Sequence, residues 1–383
     1  MSGTYDVAII GAGMAGASLA YFLKPGTRAV LVEMESAPGY HTTGRSAAFY
    51  SETYGGPVVQ PLSTASKGFF DEPPPGFTEH ALLRARGGLH IARADAGGAL
   101  DRIEAEFAGT GVAMHRMRSA AERAPMLVAE WAGAALWEPD CRDMDVGEIH
   151  RGFLAGARAN GAALMVDTGV EAIEHTPGGG WRLTTRGGMV EAGAIVNAAG
   201  AWADAVAAMA GAAPLGIAAL RRTVAQVATD PPPPRDLPLV IDAEGSFYFR
   251  PEGKGLWISP HDETPDIAGD VQAEELDIAT ALDRFERATT ARVRKLEHAW
   301  AGLRCFAPDR APVYGWDVSV SGFFWCAGQG GFGIQTAPAA GMLAAALLQG
   351  RAPPEVLGAC GVDPARYSPS RFARDATETS SAR

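Results

Sequence analysis

The chain has 383 residues, 47% hydrophobic and 20% charged, with a formal net charge of -11. That length exceeds one ordinary core and suits two domains, and the balance is that of a globular protein, not a disordered or fibrous one. An acidic protein repels a phosphate backbone or an anionic membrane, which argues against nucleic acid or lipid headgroups as the main partner.

Cys141, Cys305, Cys326 and Cys360 stand far apart with no CxxC pair. Neither a zinc site nor a disulfide framework is expected, and reduced thiols in a cytoplasm are. The N-terminus lacks a basic leader, and no run approaches the roughly eighteen apolar residues of a membrane span. A cytoplasmic protein without a membrane anchor is expected.

The opening TYDVAIIGAGMAGASLAYFLKPGTRAVLVEME predicts strand, glycine turn, helix and strand. Asp6 to Ile10 is a β-branched and apolar run, Met14 to Leu23 is rich in helix formers, Pro25-Gly26 stops the helix, and Ala29 to Glu33 is a second buried strand. Gly11, Gly13 and Gly16 form GxGxxG in the place a dinucleotide fingerprint requires, with Ala15 inside the same turn. The first glycine allows the tight turn, the second lets backbone approach a pyrophosphate, and the third lets helix and strand pack closely. Glu33, ending the second strand, suits the hydroxyls of an adenosine ribose and would repel a 2′-phosphate. The fingerprint alone does not separate NAD from FAD.

HTTGRSAAFY begins eight residues beyond Glu33, so in a doubly wound sheet it crosses the carboxyl ends of the strands. Arg45 could pair with a pyrophosphate there, Thr43 and Ser46 could hydrogen-bond to it, and Gly44, Ala47 and Ala48 are small enough to admit a flat ring. Farther on, GGLHIARA, VAMHRM, AALWEP, LRRTVAQVATDPPPP and LPLVIDAEGSFYFRPEGKGLWISP are strand-like runs punctuated by turns and prolines. They predict a β-rich domain inserted into an α/β one. EELDIATALDRFERATTARVRKL, 274–296, predicts an amphipathic helix, and RDATETSSAR a frayed tail.

GAGMAGASLAYFL with Glu33, GYHTTGRSAAFYSETYG, VNAAGAWAD at 196–204 and WCAGQGGFGIQTAPAAG at 325–341 follow one another in the order seen in the D-amino-acid-oxidase-like flavoproteins, which this chain resembles. Within that family it is most similar to the bacterial D-arginine dehydrogenases. The resemblance implies FAD, held by a Rossmann-like domain built from 1–80, 146–210 and 305–383. It implies a substrate-binding domain of antiparallel sheet and helices from 81–145 and 211–304. It places Arg45, Ser46 and their neighbours along the cofactor, Val170 beside adenine, and Ala199, Gly200 and Trp202 against another part of it. Gly331, Gly333 and Ile334 would lead into a helix whose partial positive charge faces the reducible end of the flavin.

The same resemblance gives Arg222 and Arg304 the substrate carboxylate, Tyr248 and Tyr54 the cap and wall of the site, and Gln335 with Gly331 the amine. The reaction implied is hydride transfer from Cα of a D-amino acid to flavin N5, giving an imine that water converts to a 2-oxo acid and ammonia. A quinone, a dye-like carrier or oxygen would accept the electrons. Gly88 stands where the arginine-preferring relatives have an acid, and Phe49 where they have histidine, so a neutral or apolar side chain is expected. The alternatives are oxidation of a secondary amine, of a 2-hydroxy acid, or flavin binding without turnover.

Overall fold

Val7 and Ile9 of the first strand pack against one apolar cluster, with Leu19, Ala340 and Leu343, while Ala8 and Ile10 pack against another, with Val206, Ile195 and Trp325. A strand that alternates in this way and is buried on both faces needs cover on both, and helices supply it. The computed structural model describes residues 3–96 and 98–373; the predicted tail at 374–383 lies outside them. Strand β1 (Gly3–Ile10), helix α1 (Met14–Tyr21) and strand β2 (Ala29–Val32) form the predicted βαβ unit. β1 pairs in parallel with β2 on one side and with Gly188–Asn197 on the other. Ala163–Met165 extends the sheet beyond β2, and Phe323–Ala327 pairs in parallel with Gly188–Asn197. Helix Ala337–Leu348 lies on the α1 side and helix Ala203–Met209 on the other.

A second, ten-stranded sheet is mainly antiparallel and centres on two long neighbours, Ala218–Asp230 and Arg292–Phe306. The runs expected to be strands supply most of the rest: Gly88–Ile91, Ala135–Glu138, Leu239–Asp242, Tyr248–Glu252 and Gly255–Ser259. Of VAMHRM only His115–Met117 is a strand. Gln329–Gly330 joins this sheet at the edge by pairing with Cys305–Phe306, so the glycine-rich C-terminal segment belongs to both layers.

The helix expected over 274–296 is shorter than its periodicity suggests. It spans Glu275–Ala288 and gives way to a strand from Arg292. Thr289, Thr290 and Val293 are β-branched and lose rotamer freedom in a helix. Residues 292–296 instead pair antiparallel with Val227 to Asp230, with a bulge at Arg294. Among the described residues no helix is long and apolar enough to cross a membrane.

Candidate active site

Gly11 has φ of +101°, and a side chain on it would meet the Ala198 carbonyl at 2.5 Å. The turn therefore needs both glycine's left-handed freedom and its missing Cβ. A Cβ on Gly16 would stand 2.0 Å from the Gly11 carbonyl oxygen, which is the close helix–strand contact expected of the third glycine. Glu33 is buried, and its two carboxylate oxygens accept the Ala12 and Glu35 N–H groups at 2.9 and 3.0 Å. Those bonds fix it at the wall of a long cavity with lone pairs to spare. The Thr43 hydroxyl accepts the Met14 N–H at 3.0 Å, capping α1, and its own proton remains free to donate.

One cavity gathers the residues singled out in the sequence. Gly11, Gly13, Ala15, Glu33, Thr43, Arg45, Ser46, Ala47, Ala48 and Val170 line it, as do Ala199, Gly200, Trp202, Gly331, Gly333, Ile334 and Gln335. Tyr54, Arg222, Tyr248 and Arg304 close its other end. Gly16 is set back in the packing beneath the turn, and Gly44, expected to admit the flat ring, packs against the Gly39 carbonyl and does not line the cavity.

Two side chains are committed otherwise than expected. The Arg45 guanidinium forms an ion pair with Asp270 and donates to the Val271 carbonyl at 2.8 Å, so it ties the HTTGR loop to the segment before helix Glu275–Ala288 and does not point to a phosphate. Tyr40 adds its hydroxyl to Asp270 at 3.0 Å. The Gln335 amide is likewise spent. It donates to the Tyr54 carbonyl at 3.0 Å and to Ser63 Oγ at 2.8 Å, and accepts the Ser51 N–H at 3.2 Å. Gln335 therefore holds the 51–54 turn that carries Tyr54, in place of the expected contact with a substrate amine.

The register of the two long strands makes the arginine pair. Arg222 lies opposite Gly302, two residues from Arg304, so both guanidiniums rise diagonally from one face of the sheet. Gly302 has no side chain to obstruct them, and a Cβ there would meet Arg45 at 3.0 Å. Arg304 is buried between Phe306, Phe332 and Tyr54, 4.9, 5.8 and 5.9 Å from the ring centres, and its Nη2 donates to the Tyr54 hydroxyl at 3.2 Å. Burial, with Arg222 beside it, lowers its pKa from the usual arginine value, yet a guanidinium keeps its proton. Arg304 Nε and Arg222 Nη1 are buried without a hydrogen-bond partner. Arg222 and Arg304 both line the cavity, and a pair of guanidiniums on one wall is the partner a carboxylate ligand would take.

Phe49 packs on Tyr54 and Tyr248, with ring centres 4.9 and 5.8 Å away. Burial raises the Tyr248 hydroxyl above its ordinary pKa, against the pull of Arg222. Gly88 is buried in a strand against Cys141 and Glu138 and does not line the cavity. Glu138, opposite Gly88 in register, is satisfied by Ser51, Glu52, Thr53 and His90. Among the described residues the sole carboxylate lining the cavity is Glu33, at the far end from the arginines. Cys305 lines the cavity, and burial pushes its thiol up to about 12.

Several contributors were not anticipated. His150 Nε2 donates to the Ala12 carbonyl at 2.8 Å, and burial lowers its pKa, so a neutral imidazole braces the glycine turn. His261 sits beside Tyr54 and Tyr248. Burial first, then Arg222 and Arg304, lower its pKa to about 3. Asp262 accepts the Thr223 N–H and hydroxyl, and its carbonyl accepts Arg222 Nε at 2.8 Å. None of these carries a sequence signal beyond its type, because each acts through contacts remote along the chain.

The glycine cradle, the anchored Glu33 and the unbroken cavity leading from them to the arginines fit FAD. The chain is 25% identical to the glycine oxidase of Geobacillus kaustophilus (strain HTA426) over 370 residues, covering 91% of this chain and 94% of that enzyme. It is 29% identical to the mitochondrial dimethylglycine dehydrogenase of Mus musculus over 266 residues, which covers 63% of this chain and 30% of the relative, so the chain spans about a third of that protein's length. The fold is shared with glycine oxidase from Geobacillus kaustophilus (TM-score 0.80, 24% identity, 91% and 95% of the two chains). It is shared also with L-proline dehydrogenase from P. horikoshii (TM-score 0.83, 22% identity, 98% and 99%). These relatives do not single out the D-arginine dehydrogenases. The family match runs from residue 6 to 347, and over that length the chain belongs to the DAO family of FAD dependent oxidoreductases.

Proposed function

We propose that this enzyme oxidises a small α-amino acid whose nitrogen carries a substituent, an N-methylated glycine or a cyclic imino acid. The observation that carries the reading is the pair of arginines, Arg222 and Arg304, on one cavity wall beside aromatic side chains, where among the described residues no carboxylate lines the cavity. The arginines take the carboxylate in the geometry a guanidinium favours. Phe49, Tyr54 and Tyr248 enclose the apolar remainder and exclude water, and among the described residues no acid lines that end of the cavity to pair with a cationic side chain. Bound FAD supplies the acceptor for a hydride from the carbon next to nitrogen. The chain's contribution is to fix that carbon by its carboxylate, and such orientation accounts for much of a barrier reduction. A substrate nitrogen that has lost its proton needs no side-chain base, and the resulting iminium is hydrolysed by water.

Similarity to dimethylglycine dehydrogenase and to L-proline dehydrogenase supports the substituted nitrogen. A neutral D-amino acid stands second; the near full-length match to a glycine oxidase favours keeping primary amines in view. The test is anaerobic bleaching of the flavin by sarcosine, N,N-dimethylglycine, L-proline, glycine, D-alanine and D-arginine added singly. Reduction by one of the first three in preference to the others is expected. Reduction by D-alanine or D-arginine alone would refute the proposal.

A further inference from the structure

Glu263 does not line the cavity, yet it is wired to both arginines of the clamp. Its Oε1 accepts Arg304 Nη1 at 2.9 Å and Arg310 Nη2 at 2.8 Å, and lies 3.4 Å from Arg222 Nη2. Three guanidiniums thus converge on one carboxylate oxygen. The two N–H groups without partners belong to the same guanidiniums that Glu263 engages through other nitrogens. Arg222 and Arg304, mutually repulsive cations rising from adjacent strands, need an anion between them to stay side by side. Burial acts to raise the Glu263 carboxyl, and Arg310, Arg304 and Arg222 outweigh it, holding it below the usual carboxylate range.

The backbone around this contact is held in a costly shape. His261, two residues before Glu263, has φ of +57° and Arg310 has φ of +64°; among the described residues only Asp167 is a further non-glycine residue with positive φ. Such conformations persist where the surroundings over-determine them.

We infer that Glu263 is a positioning residue for substrate binding, which holds Arg222 and Arg304 side by side through Arg304 Nη1 and Arg222 Nη2 so that the two guanidiniums are kept together at the cavity wall for the substrate carboxylate. The inference rests on the reading of those arginines as the carboxylate clamp. Its reach is specific: loss of the Glu263 charge weakens recognition of a carboxylate and leaves recognition of an uncharged ligand as it was.

The test is Glu263→Gln in the FAD-loaded enzyme, with acetate as the probe and acetamide as its uncharged counterpart, each followed by perturbation of the flavin spectrum. The expected result is a Kd for acetate raised at least about tenfold, the scale of one charge-assisted contact, with acetamide unchanged. For an amine substrate, KM should rise while kcat is retained. Equal acetate affinity in the variant, or equal loss of acetate and acetamide, overturns the inference. If the glutamine variant does not retain FAD, Glu263→Asp keeps the charge one methylene short; an intermediate loss of acetate affinity supports the inference, and none overturns it. Failure of the wild-type enzyme to bind acetate would overturn the clamp itself and this inference with it, a result distinct from wild-type binding that Glu263→Gln leaves intact.

Discussion

Gly331→Ala tests the clamp with one methyl group and no change of charge. A Cβ at this position would stand 2.2 Å from Arg304 Nε and 2.3 Å from Arg304 Nη2. Ordinary van der Waals contact begins near 3.4 Å, so the guanidinium must retreat by roughly 1 Å. Gly331 has no positive φ, hence alanine is tolerated by the backbone, and what must move is the far end of a flexible side chain. The fold should barely notice. Binding should, because a misplacement of about 1 Å in a positioning group costs on the order of 100-fold, or about 2.7 kcal/mol.

Anaerobic stopped-flow reduction by the preferred amine separates the effects. The apparent Kd for substrate should rise by one to two orders of magnitude (~10 to 100-fold), while FAD content and Tm stay at wild-type values. An unchanged Kd with a full flavin load would refute the assignment of Arg304 to the carboxylate. Loss of FAD instead would mean that Gly331 serves the cofactor more than the substrate.

Gly16→Ala has the opposite character, since its Cβ would meet the backbone oxygen of Gly11 at 2.0 Å, where nothing flexible can yield. It should cost about 1–3 kcal/mol, read as a lowered Tm with FAD lost on gel filtration; a wild-type Tm would refute the packing argument. Asp270→Asn removes the anion that holds Arg45, and should speed FAD release on dilution several-fold, measured by flavin fluorescence; a wild-type release rate would refute that role. His261 titrates at about 3 in the folded protein, lowered by burial and by Arg222 and Arg304, against about 6.5 unfolded. Between those values the unfolded chain binds more protons, so stability falls as pH drops from about 6.5, by up to about 1.4 kcal/mol per pH unit. His261→Gln should flatten that part of the Tm profile, and a parallel profile would refute it.

What the sequence discloses and what it conceals divide along chain distance. The glycine turn, Glu33 and the βαβ unit lie within thirty-three residues of one another, and each is specified by local sterics: a left-handed φ at Gly11, an absent Cβ at Gly16, an apolar alternation in β1. The arginine pair was readable only through family resemblance, since nothing local distinguishes Arg222 from Arg221, which turns to Asp266, Glu274 and Asp277 instead. Strand periodicity decides between them. Neighbours on a strand face opposite sides, and the side that meets the cavity is set by a pairing with Arg292–Phe306 some eighty residues away.

Apart from His150, the residues that were missed sit on the segment 261–271, where only Thr264–Pro265 is a strand and there is no period to read. His261 packs on Tyr54 and Tyr248, Asp262 and Glu263 hold the clamp, and Asp270 and Val271 hold Arg45. One short stretch of the β-rich half therefore touches the arginines at its start and the cofactor loop at its end. That arrangement makes the two halves of the site mechanically dependent. A substrate carboxylate that tightens Arg222 and Arg304 acts on Glu263, and the chain from Glu263 leads within seven residues to the ion pair at Arg45. Asp270→Asn and Glu263→Gln should consequently be non-additive in substrate affinity if the segment moves as a unit, and additive if its two ends act alone.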